Sequence, residues 1–334
     1  MEIPFRFLLP VPSDSVCLSL RGWAGGLKNS HVSFFDYLSI VMIPEFLVIG
    51  AQKAGTTWLD RNLRSHPGIW LPPEKEVHFF NLPPLLPFFF LLFAPMRPVR
   101  YWAGNRMLGD FRKVIAREYR LRWYVRCYFF LRTQRWYFSL FKPSAGQAAG
   151  EITPRYAILT ETEIARVHAL MPDAKIIYLL RDPLERLWSD LAMFHRPKYG
   201  SQGLENAGEK SIRQFIGNST HQASSRYVSN LRRWEKYYPP EQIFVGFQEQ
   251  IRDNPEQLLK DICHFLGVAT PDDHVFSRAR QLIHSHEYPA MPPTLAHTLA
   301  SLFINDIEQL HQRFNNEYTA KWLLSARQFM GNGG

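Results

Sequence analysis

Cysteine is scarce in this 334-residue chain: Cys17, Cys127 and Cys263 are odd in number and far apart. Neither a disulfide framework nor a zinc-type spacing is present, and a reducing compartment is the simpler setting. Long apolar runs are missing too. The stretch 85–93, LLPFFFLLF, falls far short of the roughly 18 residues a membrane span needs. The short run 7–9 is hemmed in by Arg6, Pro10, Pro12, Asp14 and Arg21, so a signal peptide, with its apolar core of about 7–15 residues, is not expected from this stretch. Internal repeats and low-complexity linkers are absent, leaving only proline-rich patches at 72–98 and 289–293. Acids are the minority charge, 30 against 39 Lys and Arg, and the net +9 suits a polyanionic ligand. With 46% hydrophobic and 21% charged residues, the chain can fill one large domain or two modest ones.

The most informative stretch present is 46–59, FLVIGAQKAGTTWL. An apolar run of strand length, Phe46 to Ile49, enters a turn holding Gly50, Gln52, Lys53, Ala54 and Gly55. Thr56 and Thr57 then open an amphipathic segment running to about His66. A strand that breaks into a glycine loop and a helix N-terminus is an anion site. Unpaired backbone N–H groups and roughly half a positive charge of helix dipole face one point there. Glycine lets the backbone approach a phosphate closely, Lys53 supplies a mobile cation, and two hydroxyls can donate to phosphate oxygens. The triphosphate-binding loop G-x-x-x-x-G-K-[ST] carries its lysine after the second glycine; here Thr56 stands in that place.

A second element begins with a strand from Lys175 to Leu180 and ends in Arg181-Asp182-Pro183, the proline suiting a first helical turn. Arg181 at the strand end and Ser189 about two turns into the helix can reach one phosphate group. Asp182 and Glu185 read as an ordinary acidic helix start. Strand-like runs at 46–50, about 148–152, 175–180 and 242–247 alternate with helical patterns at 56–66, 160–170, 183–195, 225–238, 255–266 and 295–313. The alternation predicts an α/β fold, a P-loop-like parallel sheet flanked by helices on both faces, with ligands at the carboxyl ends of strands. A single domain is expected over 42–330, and residues 1–41 are expected to be a poorly ordered extension, even an over-called start.

Together the two elements resemble the sulfotransferases that use 3′-phosphoadenosine 5′-phosphosulfate (PAPS), in particular the bacterial and heparan-sulfate-type carbohydrate enzymes. Their 5′-phosphosulfate loop, K-x-G-T-[TS]-x-[LF], is matched by Lys53 to Leu59. Their R-D-P-x-x-R-x-x-S segment, whose arginine and serine hold the 3′-phosphate, is matched by Arg181, Asp182, Pro183, Arg186 and Ser189. The resemblance implies PAPS as donor, 3′,5′-ADP (PAP) as product, no metal, and Lys53 as the cation at the departing oxygen. EKEVHFFN at 74–81 is similar to the family's E-x-E-V-H-F-F-[DN]. Its second glutamate, Glu76 here, is implied as the general base, with His78 as a rival on the same face if the segment is extended. Trp58 matches a tryptophan that packs on adenine in several cytosolic members, and it suits helix–sheet packing equally. Tyr227, in a Y-x-x-x-L-x-x-W helix, is implied to border cofactor and acceptor.

The match is incomplete in two places. AGEITPRY at 149–156 resembles an E-[KS]-[TS]-P-x-Y piece, with Glu151 and Tyr156 as candidates for the site wall. Ile152 stands where some glycosaminoglycan members carry a lysine on the transferring sulfonate. HSHEYP at 284–289 falls near the position of a late 3′-phosphate loop, without its arginine.

Between these motifs, 97–142 holds twelve Lys or Arg against Asp110 and Glu118, a surplus of ten that exceeds the whole chain's net charge. Aromatics are interleaved, among them Trp123, Tyr124, Trp136 and Tyr137. Three readings stay open: a helical acceptor-side insertion for an acidic or carbohydrate substrate, a peripheral membrane contact for lipid-linked acceptors, or a solvated helical pair with snorkelling arginines. The expected partner is a small-molecule or glycan acceptor, not nucleic acid, in the cytoplasm or at a membrane surface. Two other classes remain as alternatives, a P-loop kinase or NTPase and a non-catalytic anion- or nucleic-acid-binding protein.

Overall fold

β1 (Phe46–Gly50) and β3 (Ala148–Ile152) are buried at every residue. A strand buried on both faces needs a layer on each, and its sequence is then mostly apolar or small instead of alternating, Glu151 in β3 being the exception. Both belong to a five-stranded sheet of order β2-β3-β1-β4-β5, in which β2 is Ile69–Trp70, β4 is Lys175–Leu180 and β5 is Ile243–Phe247. Every pairing is parallel. β1 is central, and the chain leaves it toward β2 and β3 on one side and β4 and β5 on the other. That reversal opens a crevice at the carboxyl ends of β1 and its neighbours.

The computed structural model describes residues 42–82, 121–199, 208–270, 276–277, 279–280 and 290–331. The expected extension at 1–41, the part of the basic stretch at 97–120 and the loop at 284–289 lie outside them. Within the described residues, helices flank the sheet and the architecture is α/β. α1 (Thr56–Ser65) follows β1, and α2 (Leu121–Phe129) and α3 (Gln134–Ser139) precede β3. α4 (Glu161–Leu170) starts with a reciprocal capping box between Thr160 and Glu163. α5 (Pro183–Tyr199) follows β4. α6 (Glu209–Ile216), α7 (Ser219–Ala223), α8 (Tyr227–Trp234) and α9 (Pro255–Leu266) come next, with β5 between the last two.

The chain closes with a pair of packed helices, α10 (Pro293–Phe314) and α11 (Glu317–Gly331). α8 is shorter than the expected 225–238, and α11 has no counterpart among the expected helices. Only three of its residues, Thr319, Trp322 and Ala326, are buried, so its apolar stripe is too thin to read from spacing. Trp322 nevertheless packs on Phe247 at the end of β5, and its indole N–H donates to Glu249 Oε1 at 2.7 Å.

Candidate active site

α1 begins without a side-chain cap and has no acidic residue in its first turn. A helix N-terminus normally has its free N–H groups satisfied by a capping oxygen; here they are left for a ligand. Gly55, at the cap position, has φ of 88°, and a Cβ there would lie 2.1 Å from Ile251 Cδ1. The positive φ is what favours glycine here, and any side chain would also have to displace the Ile251 methyl. Gly50 also approaches its neighbours closely: a Cβ would sit 3.0 Å from Pro154 O and from Ala157 Cβ. Ala54 is buried, while Gln52, Lys53 and Thr57 are half-buried on the loop surface. Lys53 itself has φ of 71°; its Nζ lies 3.9 Å from Met193 Sδ and has no carboxylate partner among the described residues.

β4 delivers Arg181 to the same place. Its guanidinium donates to Lys53 O at 3.3 Å, joining the two strand-end loops, and lies 3.4 Å from Glu185. Ser189 and Met193 are one turn apart on α5, so the face that meets Lys53 also carries Ser189. Ser189 is buried, and its hydroxyl makes no hydrogen bond among the described residues. Asp182 caps α5, accepting from Leu184 N at 2.8 Å and Glu185 N at 3.2 Å. Burial pushes its carboxyl up to about 7 despite those two bonds. Arg186, matched to the family only by register, is fully buried and donates to Ser225 Oγ and His221 O at 2.5 and 2.8 Å. It fastens α5 to the turn before α8.

Two further expected nucleotide contacts are buried side chains. Trp58 is 2% exposed, and its indole N–H donates to Ala279 O at 2.9 Å. It packs α1 into the core with no ring face open to an adenine. Tyr227 is fully buried, edge-on to Tyr178, with its hydroxyl beside the Arg181 backbone. It supports the end of β4 from beneath instead of lining open space.

On the other side of β1, Glu76 N donates to Ile152 O at 3.0 Å, which hangs the 74–81 segment from the end of β3. That segment is not extended: Glu76 and His78 have φ of 66° and 58°. The two side chains still meet, with His78 Nε2 3.1 Å from Glu76 Oε2 and Nδ1 3.1 Å from Asn81 Oδ1. Both ring nitrogens thus face a polar partner, and the tautomer and the orientation of the Asn81 amide together decide which of them donates.

Neighbouring buried residues brace the segment. Tyr156 accepts from Phe79 N at 2.8 Å, Arg132 donates to His78 O at 2.5 Å, and Tyr124 donates to Glu74 at 2.6 Å. Glu151 and Tyr156 are buried within the wall and not on its surface. The described part of the basic aromatic stretch thus contributes Tyr124, Trp136 and Tyr137 to the core.

A cleft of about 500 Å³ opens in front of the segment, with Gln52, Glu76, His78, Asn81 and Arg155 in its lining. Arg155 is half-buried there with no hydrogen bond or ion pair among the described residues, and burial lowers its pKa. Sequence reasoning missed this arginine, and it also missed Lys75. The Lys75 Nζ donates to Thr56 Oγ1 at 3.0 Å and approaches Thr57 Oγ1 at 3.5 Å.

A sequence model described as the sulfotransferase family matches residues 44–272. The human bifunctional heparan sulfate N-deacetylase/N-sulfotransferase 2 is 26% identical over 243 residues, covering 68% of this chain and 22% of that protein. Human heparan sulfate glucosamine 3-O-sulfotransferase 6 is 26% identical over 243 residues, 71% of this chain and 56% of its own length. The chain thus spans about a fifth of the first relative and about half of the second. A sulfotransferase crystal structure from Alicyclobacillus acidocaldarius is 28% identical, with a TM-score of 0.57 over 84% of this chain and 99% of that one. The strand-end loops joined through Arg181, and the match over 44–272, place the chain in the sulfotransferase family.

Proposed function

We propose that the chain transfers a sulfuryl group from PAPS to a hydroxyl or amine of a carbohydrate or lipid-linked acceptor. The observation that carries this reading is the uncapped, acid-free N-terminus of α1, flanked by Lys53 and tied to Arg181. The heparan sulfate named for both relatives supports a glycan acceptor, as does the polar cleft holding Arg155. Bound PAPS would supply a sulfuryl group activated by its attachment to phosphate.

On this reading Lys53 and the first amides of α1 hold the phosphosulfate, and Arg181 and Ser189 hold the 3′-phosphate. Glu76, held by His78, takes the acceptor's proton as the acceptor oxygen or nitrogen bonds to sulfur. The sulfur–oxygen bond to PAP breaks, and Lys53 offsets the charge left on its phosphate. A triphosphate-binding protein accounts for the loop less well, since Thr56 occupies the position of the gripping lysine.

Thermal melts test the donor site. PAP raises Tm by several degrees at saturation, and ATP with Mg²⁺ does not. The Glu76→Gln variant keeps the PAP shift while its turnover with labelled PAPS drops by about a hundredfold or more. A shift with ATP–Mg²⁺ and none with PAP rejects the reading.

A further inference from the structure

The loop at 50–57 has no lysine at the place where a triphosphate-binding loop carries one, and the fold brings a lysine there from another segment. Lys75 reaches Thr56 and Thr57 from the chain beyond β2, with Nζ 3.0 and 3.5 Å from their hydroxyl oxygens. We infer that Lys75 is a positioning residue of the donor loop, which aims the Thr56 and Thr57 hydroxyl protons at the bound phosphosulfate and places a positive charge behind it. The inference rests on the PAPS reading above.

The chemistry follows from hydroxyl valence. An oxygen that accepts from an ammonium presents its own proton to a second acceptor. Neither threonine hydroxyl donates to a protein acceptor among the described residues, and Thr56 is buried. Both flank the uncapped end of α1, where the one missing acceptor is an anion.

The charges around Lys75 agree. Burial lowers its pKa, Lys53 and Arg64 repel it, and Glu76 and Asp60 attract it. Asp60 is itself paired with Arg64 at 3.0 Å. An arriving phosphate dianion reverses this balance, so PAP binding at alkaline pH draws a proton onto Lys75.

Calorimetric titration of PAP at about pH 9, where phosphates are fully ionised, in two buffers of different ionisation heat measures both effects. Wild type takes up a fraction of a proton on binding. Lys75→Met loses that uptake and binds PAP about 10–100-fold more weakly. Lys75→Arg, charged at every accessible pH, retains more affinity than Lys75→Met and takes up no proton. Absence of uptake in wild type overturns the inference without any variant. So does uptake that persists in Lys75→Arg, or Lys75→Met affinity within about twofold of wild type. Failure of the wild type to bind PAP at all instead removes the donor reading, and this inference with it.

Discussion

Asp182 combines two demands on one carboxyl. It caps α5 through two backbone N–H groups, yet its burial raises it to about 7 from the ordinary 3.8. Between those values the folded protein holds a proton that the unfolded chain has released. The contribution to stability is therefore complete below the unfolded value and is lost as pH rises through the folded one. Asp182→Asn keeps an acceptor oxygen for both amides and cannot ionise. Between about pH 4 and 7 the wild-type Tm declines more steeply than that of the variant; parallel profiles would sink the assignment. The acidic helix start was legible in the sequence because the cap pattern is local. Lys75 was not legible, because its partners are 18 and 19 residues away and only the tertiary path joins them. Trp58 was equivocal for the same reason, since its indole partner Ala279 is 221 residues distant.

At the scale of elements, β1, β3, β4 and β5 fall where strand-like runs predict them, while the segment at 74–81 does not behave as its spacing implies. Two residues of positive φ turn it, and its shape comes from its attachments. Tyr156 holds Phe79 N at 2.8 Å, and Ile152 O holds Glu76 N. Tyr156→Phe leaves a buried N–H unpaired, at a cost of about 1–3 kcal/mol. On the proposed mechanism that bond supports the segment carrying the base and not the donor loop, so kcat falls several-fold or more while PAP affinity stays within about twofold. Equal losses in both would show that the bond merely stabilises the fold. The motif was readable here, but the means of holding it was not, because Tyr156 lies 77 residues further along the chain.

For the molecule as a whole, sheet order explains why two short motifs 128 residues apart lie together. β1 and β4 are adjacent parallel strands, so their carboxyl ends open side by side. Alternation of strands and helices implied a parallel sheet with both motifs at strand ends, but not that β1 and β4 are neighbours. The dense basic stretch at 97–142 conveyed less: its described part divides between core aromatics and braces of the base segment, Arg132 and Tyr124. Charge density alone does not say which arginine is buried, since burial depends on the carbonyl it finds.

The bond from Arg181 to Lys53 O has a kinetic side. On the PAPS reading it spans the gap between the two loops that a bisphosphate would bridge, and binding is expected to proceed with no closing step between encounter and capture. Association is then set by diffusion in the field of a chain of net charge +9. Stopped-flow mixing with PAP gives a single phase whose rate rises linearly with concentration and slows as salt screens the field. A plateau at high PAP concentration would reveal a gate that the tie was thought to remove. A site assembled in advance also discriminates by shape at first contact, and the time a nucleotide stays depends on the strength of its two phosphate grips.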